Sequence, residues 1–309
     1  MKIVSSLDEL ERGDRTVLTI GAFDGVHLGH QWLIRQVIER ASELGYQSVV
    51  VTLEPRPEVV LRPGSIQLTD SLAKREAISA LNPDVLAILP FNRETAAIPA
   101  ADFLDDILAR VNLAELWIGA DFAFGHKRRG NADFLVEEGK RRGFAVKIVG
   151  RKELGETPIS STLVRDLVAQ GEMERVTALL GRPFSLRGEV VKGFGRGKEM
   201  GFPTANLKMP EHQLVPATGI YAGRTIVDDE PKLAAVSIGY NPVFGNEHLA
   251  VEAHLLDFQG DLYGRTLEVQ LLHRLREERS FSDVDALVAQ IERDVEETRN
   301  AMTEETRRA

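Results

Sequence analysis

The stretch Val17-Leu18-Thr19-Ile20-Gly21-Ala22-Phe23-Asp24-Gly25-Val26-His27-Leu28-Gly29-His30 decides the fold of the first half of the chain. Val17 to Ile20 carries no charge, as expected of a strand buried on both faces of a parallel sheet. After it, Leu33, Val37, Ala41 and Leu44 recur at three- and four-residue spacing, and Gly45 is suited to stop a helix running from about His30 to Leu44. The unit is therefore strand, turn, helix. Gly21, Gly25 and Gly29 let the backbone approach a ligand, and the helix N-terminus offers unpaired N–H groups to an anion. Such a turn lies at the carboxyl end of a parallel strand, where open α/β sheets bind ligands. The imidazoles of His27 and His30 enter the same space, which suits charge developing on a leaving pyrophosphate in nucleotidyl transfer. The ordinary alternative is that Asp24 caps the turn and both histidines lie at the surface.

Further runs of the same kind follow. Ser48 to Leu53, Val85 to Leu89, Leu116 to Ile118 and Ala145 to Val149 read as buried strands, and Phe103, Leu104, Ile107, Leu108 and Val111 mark a helix between two of them. Alternating strands and helices predict a doubly wound parallel sheet, the nucleotide-binding α/β class. Ser160 to Leu180 reads as wholly helical, closed by Gly181-Arg182-Pro183. The periodicity then changes to two: Leu186 to Val191, Gly219 to Ile226, Leu233 to Ile238, Ala250 to Leu256 and Thr266 to Leu272 are strands set apart by turn residues. Short strands without intervening helices predict a small antiparallel β-barrel. A last helix, Asp283 to about Met302, carries an apolar stripe. The domain boundary is expected near Phe184, giving residues 1–183 and 184–309.

Three more stretches carry chemistry. In Gly193-Phe194-Gly195-Arg196-Gly197-Lys198-Glu199-Met200-Gly201-Phe202-Pro203-Thr204-Ala205-Asn206, closely spaced glycines make a loop able to wrap phosphates with its own amides. It is neither a Walker motif, since Gly-Lys-Ser/Thr is absent, nor a Rossmann fingerprint, since it is expected to open no helix. Thr204 and Asn206, two apart in an extended segment, share one face and are suited to ligate a hard cation such as magnesium beside nucleotide phosphates; a turn with local side-chain bonds is the alternative. Glu252 lies in a strand with Glu252 and His254 on the face opposite Val251, Ala253 and Leu255. A carboxylate there suits accepting a hydroxyl proton in phosphoryl transfer, or, more plainly, a cross-strand pair. Ser160-Ser161-Thr162 and Arg165 read either as N-caps or as contacts to outgoing phosphates. Gly119 to Gly125, with Asp121, is either an ordinary turn or the rim of the first site.

The bulk composition narrows the classes. The net charge of −9 over 309 residues argues against a nucleic-acid binder, and Lys127-Arg128-Arg129 and Lys140-Arg141-Arg142 are brief enough to be solvated faces. There is no cysteine, which excludes disulfides, thiolate metal sites and cysteine nucleophiles. No run approaches the roughly 18–20 apolar residues needed to cross a bilayer, and acids sit where a secretory segment would be apolar. A soluble, cytoplasmic protein is expected.

The first-half motifs resemble the adenylyltransferase module of the bacterial bifunctional riboflavin kinase/FAD synthetases, whose Gly-x-Phe-Asp-Gly-Val-His-x-Gly-His and Ile-Ser-Ser-Thr-x-x-Arg patterns are met at residues 21–30 and 159–165. The resemblance implies ATP binding by Gly21, Phe23, Asp24, Gly25, His27, Gly29, His30, Asp121, Ser161, Thr162 and Arg165, with the histidines catalytic, and flavin near Thr52 and Asp121. The second half resembles the riboflavin kinase module from the Gly-rich loop through Gly219-Ile220-Tyr221-Ala222-Gly223 and Asp261-Leu262-Tyr263-Gly264. That resemblance implies a six-stranded barrel, ATP at Gly193, Gly195, Arg196, Gly197, Gly201 and Pro203, Mg²⁺ on Thr204 and Asn206, and Glu252 as base beside the flavin. The implied partners are riboflavin, FMN, FAD and ATP. The chain departs from the family at Leu53 and Arg56, where Thr-Phe-x-Pro-His-Pro is usual, at Val243, where Thr is usual, and at Lys192, where His is frequent. Rival readings are a kinase with a decayed first half, a flavin or nucleotide sensor, and another nucleotidyltransferase, which explains the first half alone.

Overall fold

The computed structural model of the chain describes residues 1–243 and 246–308, and the side chains of Arg196 and Val243 lie outside the described set. The chain divides into two compact units, Met1–Ser161 and Thr162–Ala309.

In the first unit six parallel strands, β1 (Lys2–Val4), β2 (Arg15–Gly21), β3 (Gln47–Glu54), β4 (Val85–Pro90), β5 (Asn112–Gly119) and β6 (Ala145–Val149), form one sheet in the order β1-β4-β3-β2-β5-β6. Neighbouring residues of one strand feed different cores. Leu18, Ile20, Val49 and Val51 belong to a cluster with Leu104 and Ile107 of α4 (Ala100–Arg110) and Leu135 of α5 (Ala132–Arg142). Val17 and Val50 belong to a second cluster with Leu33, Ile34 and Val37 of α1 (Leu28–Leu44) and Ile78 of α3 (Ser71–Ser79). Helices cover both faces, so the strands are apolar without alternation. The expected doubly wound sheet is present. The short edge strand β1, the single turn α2 (Pro57–Leu61) and the more polar helices α3 and α5 were not foreseen, because each carries too few apolar residues to set a period. A two-residue ribbon, β7 (Glu153–Leu154) and β8 (Thr157–Pro158), closes the unit.

The strand order has one consequence for function. From β2 the chain proceeds through β3 and β4 on one side, then returns to β5 and β6 on the other. The carboxyl ends of β2 and β5, at Gly21 and Gly119, therefore flank the switch point where such sheets bind ligands.

The second unit begins with α6, α7 (Met173–Leu180) and, further on, a six-stranded closed barrel in the order β10-β13-β12-β11-β14-β9. Its strands are β9 (Phe184–Val191), β10 (Ala205–Lys208), β11 (Gly219–Val227), β12 (Glu230–Val243), β13 (Asn246–Leu255) and β14 (Thr266–Arg276). All are antiparallel. Helix α6 (Ser161–Gln170) is separated from α7 by Gly171 at φ +79°, where the sequence predicts one continuous helical stretch. A Cβ at Gly171 would lie 2.6 Å from Arg274 and 2.8 Å from the Tyr221 hydroxyl, so glycine permits both the left-handed turn and the close approach to the barrel. His273 of β14 lies 2.7 Å from Glu174 of α7, and α7 buries Met173, Val176, Leu179 and Leu180. These helices pack on the barrel, so the structural division falls earlier than the boundary at residues 183 and 184 read from the sequence. The final helix α9 (Val284–Arg308) is held by Asp294, whose carboxylate accepts two bonds from Arg276, at 2.8 and 2.6 Å, and one from Gln290 at 2.9 Å.

Candidate active sites

The first site is built on the turn between β2 and α1. Phe23, Gly25 and Val26 all have positive φ, 47°, 80° and 41°. A left-handed β-branched residue is an outlier, and such strain persists only where the surroundings over-determine it. Here they do. Thr52 donates to the Ala22 carbonyl at 3.3 Å, Gln31 Nε2 to the Val26 carbonyl at 2.9 Å, and Ser161 Oγ to the Asp24 carbonyl at 2.9 Å. Gly21 is required as well: a Cβ there would lie 2.8 Å from the Phe23 ring.

That turn delivers the two histidines. His27 is the N-cap of α1, its Nδ1 accepting from the His30 amide at 3.3 Å. The rings stack with centroids 3.6 Å apart, and the Phe23 ring meets His30 edge-on at 5.3 Å. Burial, then the neighbouring His27, hold the His30 imidazole well below its usual range, so it is neutral at pH 7. Its Nδ1 is buried without a hydrogen-bond partner among the described residues. A buried neutral imidazole at a helix N-terminus is poised to meet an anion, which would favour its charged form.

Several expected contacts prove to be supports instead. Asp24 is 5% exposed, and its carboxylate accepts from the Leu68 amide at 2.9 Å while Arg56 lies 3.2 Å away. Thr52 is 1% exposed, its hydroxyl engaged with Ala22, so it braces the turn where flavin contact was expected. Phe23 is buried as a wall behind His30. Leu53 packs against the core beneath. Asp121 follows β5 at the switch point, exposed, with Arg151 at 3.2 Å. Ser161 joins the site through Asp24, whereas Thr162 and Arg165 continue along α6 in the other unit.

The second site lies on the barrel. Register places Asn206 of β10 opposite Glu252 of β13, with Ser237 of β12 opposite Glu252 on its other side. Val251, Ala253 and Leu255 are buried inside while Glu252 and His254 are half-exposed, as the alternation predicted. Thr204 Oγ1 donates to Glu252 Oε2 at 3.0 Å. His254 Nδ1 lies 2.8 Å from the Pro203 carbonyl, and since that oxygen can only accept, Nδ1 carries the proton. The glycines before β10 have separate tasks. A Cβ on Gly193 would meet the Asn206 carboxamide at 2.4 Å, and one on Gly197 the Phe202 carbonyl at the same distance. Gly195 and Gly201 adopt φ of +75° and +89°. The loop folds partly on itself: α8 (Arg196–Glu199) forms a single helical turn, against expectation, and the amides of Lys198 through Phe202 bond to carbonyls within the loop. Lys192 is exposed beside it. No group of three or more His, Asp or Glu able to hold a metal occurs among the described residues, so a cation here would rest on hydroxyl, amide and nucleotide oxygens.

Comparison with known proteins agrees with both halves. Residues 10–163 match the FAD synthetase family model and residues 180–302 the riboflavin kinase model. The bifunctional riboflavin kinase/FMN adenylyltransferase of Pseudomonas fluorescens is 38% identical, with 96% of each chain covered, and that of Listeria monocytogenes 36%, with 92% of this chain and 91% of the relative. A Streptococcus pneumoniae crystal structure described as a macrolide-efflux protein superposes with TM-score 0.85 at 30% identity, covering 96% of this chain and 98% of that one. No helix among the described residues is long and apolar enough to cross a membrane. The chain belongs to the bifunctional riboflavin kinase/FMN adenylyltransferases, and converts riboflavin to FMN and FMN to FAD with ATP.

Proposed function

We propose that residues 1–183 carry the adenylyl transfer and residues 184–309 the kinase reaction, each with the side chains named above, in the cytoplasm. In the first reaction ATP lies along the N-terminus of α1. An oxygen of the FMN phosphate attacks the α-phosphorus, the bond to the β-phosphate oxygen breaks, and pyrophosphate leaves. His27 and His30 donate to the departing phosphates, helped by Ser161, Thr162 and Arg165, and Asp121 lies at the flavin side. His30 starts neutral, so triphosphate binding should draw a proton onto it.

In the second reaction Glu252 orients the ribityl 5′-hydroxyl of riboflavin and takes its proton as the oxygen attacks the γ-phosphorus of ATP. Thr204 and Asn206 fit a Mg²⁺ ion: the Thr204 hydrogen already points to Glu252, which leaves oxygen lone pairs for a cation, and the carboxamide supplies a second hard oxygen. When bound, the ion would neutralise charge on the transferring phosphates. The carrying observation is the register that seats Thr204, Asn206 and Glu252 on one patch of the barrel. Glu252→Gln keeps shape and hydrogen bonding but cannot accept the proton. FMN formation should drop about 10²–10⁴-fold in turnover, with FAD formation from supplied FMN near normal. Near-normal kinase turnover would return Glu252 to a cross-strand role.

A further inference from the structure

The loop after β3 departs from the family pattern at Arg56, and the structure explains what the arginine does. Its side chain is 14% exposed. Nη1 donates to the Ile66 carbonyl at 2.9 Å and lies 3.2 Å from Asp24 Oδ2, while Nε is 2.9 Å from Glu58 Oε2, close but not aligned as a hydrogen bond. Asp24 Oδ1 accepts from Leu68, at the far end of the same loop. Arg56 therefore ties both ends of the 55–68 loop to a buried carboxylate in the most strained turn of the unit. A carboxylate so buried needs both a counter-charge and hydrogen bonds. An imidazole at position 56 is too short to reach Asp24 and the Ile66 carbonyl together; a guanidinium fork reaches both.

We propose that Arg56 is a positioning residue for adenylyl transfer: it holds Asp24, and through Asp24 the left-handed Phe23–Val26 turn that sets His27 and His30 against the nucleotide. The proposal rests on the assignment of that turn to ATP. Arg56 is distinct from a substrate contact because its donors are turned onto the protein's own oxygens.

The test uses the full-length protein, with FMN formation from riboflavin in the same preparation as the control for folding. Arg56→Gln should lower the turnover of FAD formation about 10–100-fold, the effect of small misplacement at a reacting centre, with KM for ATP and FMN changed less than about threefold. Arg56→Lys, which keeps the charge beside Asp24, should recover part of that loss. In an Asp24→Asn background the further loss from Arg56→Gln should shrink to less than about threefold, because the partner it holds has gone. An equal loss in both backgrounds, a loss confined to KM, or full turnover in Arg56→Gln would each overturn the proposal. If Arg56→Gln fails to fold, Arg56→Lys carries the same comparison. His30→Ala separates the two levels: intact FAD formation in that variant would remove the ATP assignment, whatever Arg56 does.

Discussion

Gly193→Ala tests the barrel site without touching a residue that holds or transforms substrate. The added methyl would lie 2.4–2.5 Å from the nitrogen, carbon and oxygen of the Asn206 carboxamide, where 3.4 Å is ordinary contact. A displacement approaching 1 Å is needed. Asn206 cannot supply it from the backbone, since β10 is paired on both sides, to β9 and to β13. The side chain must rotate away instead, carrying its oxygen off the proposed cation position. Loss or misorientation of one metal contact typically costs about 10–100-fold in metal affinity or activity. The assay is FMN formation against Mg²⁺ concentration, with FAD formation from supplied FMN as internal standard. The half-saturating Mg²⁺ concentration should rise about 10–100-fold, and Asn206→Ala should match it. Half-saturation within about twofold of the parent, with full kinase turnover, would show that the Asn206 oxygen holds no cation.

Two further outcomes follow from particular contacts. His30→Gln should cut FAD formation about 10²–10³-fold while sparing FMN formation. It should also reduce acid sensitivity. Because the folded state holds His30 neutral well below its usual range, the unfolded chain binds a proton first as pH falls through about 6.5. Stability is then lost by at most about 1.4 kcal/mol per pH unit until the depressed folded value is reached. Urea midpoints at pH 7.5 and 5.5 would show a smaller drop in the variant, and an identical drop would refute the buried neutral state. A fragment from Thr162 should make FMN and unfold later in urea than one from Gly181. The shorter fragment lacks α7 with Met173, Val176, Leu179 and Leu180, a cover worth on the order of 5 kcal/mol. Equal midpoints would show that α7 adds nothing to the barrel.

The parallel sheet and the barrel were legible in the sequence because both rest on periodicity. Uncharged runs marked strands covered on two faces, and strict alternation at Val251 to Leu255 marked a strand with one face inside. The His27 and His30 turn, the Gly-rich loop and Glu252 were legible as residue types in a required order. Elements with little periodicity escaped: β1 has three residues, β10 four, and α5 is mostly charged.

Which atoms serve chemistry and which hold them was decided only by the tertiary structure. Asp24, Thr52 and Phe23 look like ligand contacts in a linear motif, yet their polar or aromatic groups are engaged with Leu68, Arg56, Ala22 and His30. Arg56 looks like a lapse from the family pattern until its carboxylate partner is seen. Thr204 meets Glu252 only because β10 lies beside β13 in the closed barrel. The sequence by itself determined the two folds and the chemical inventory, since periodicity and residue type are local properties. The division of that inventory into supports and reacting groups depends on long-range burial and on contacts between residues far apart in the chain, and chain closure alone sets those.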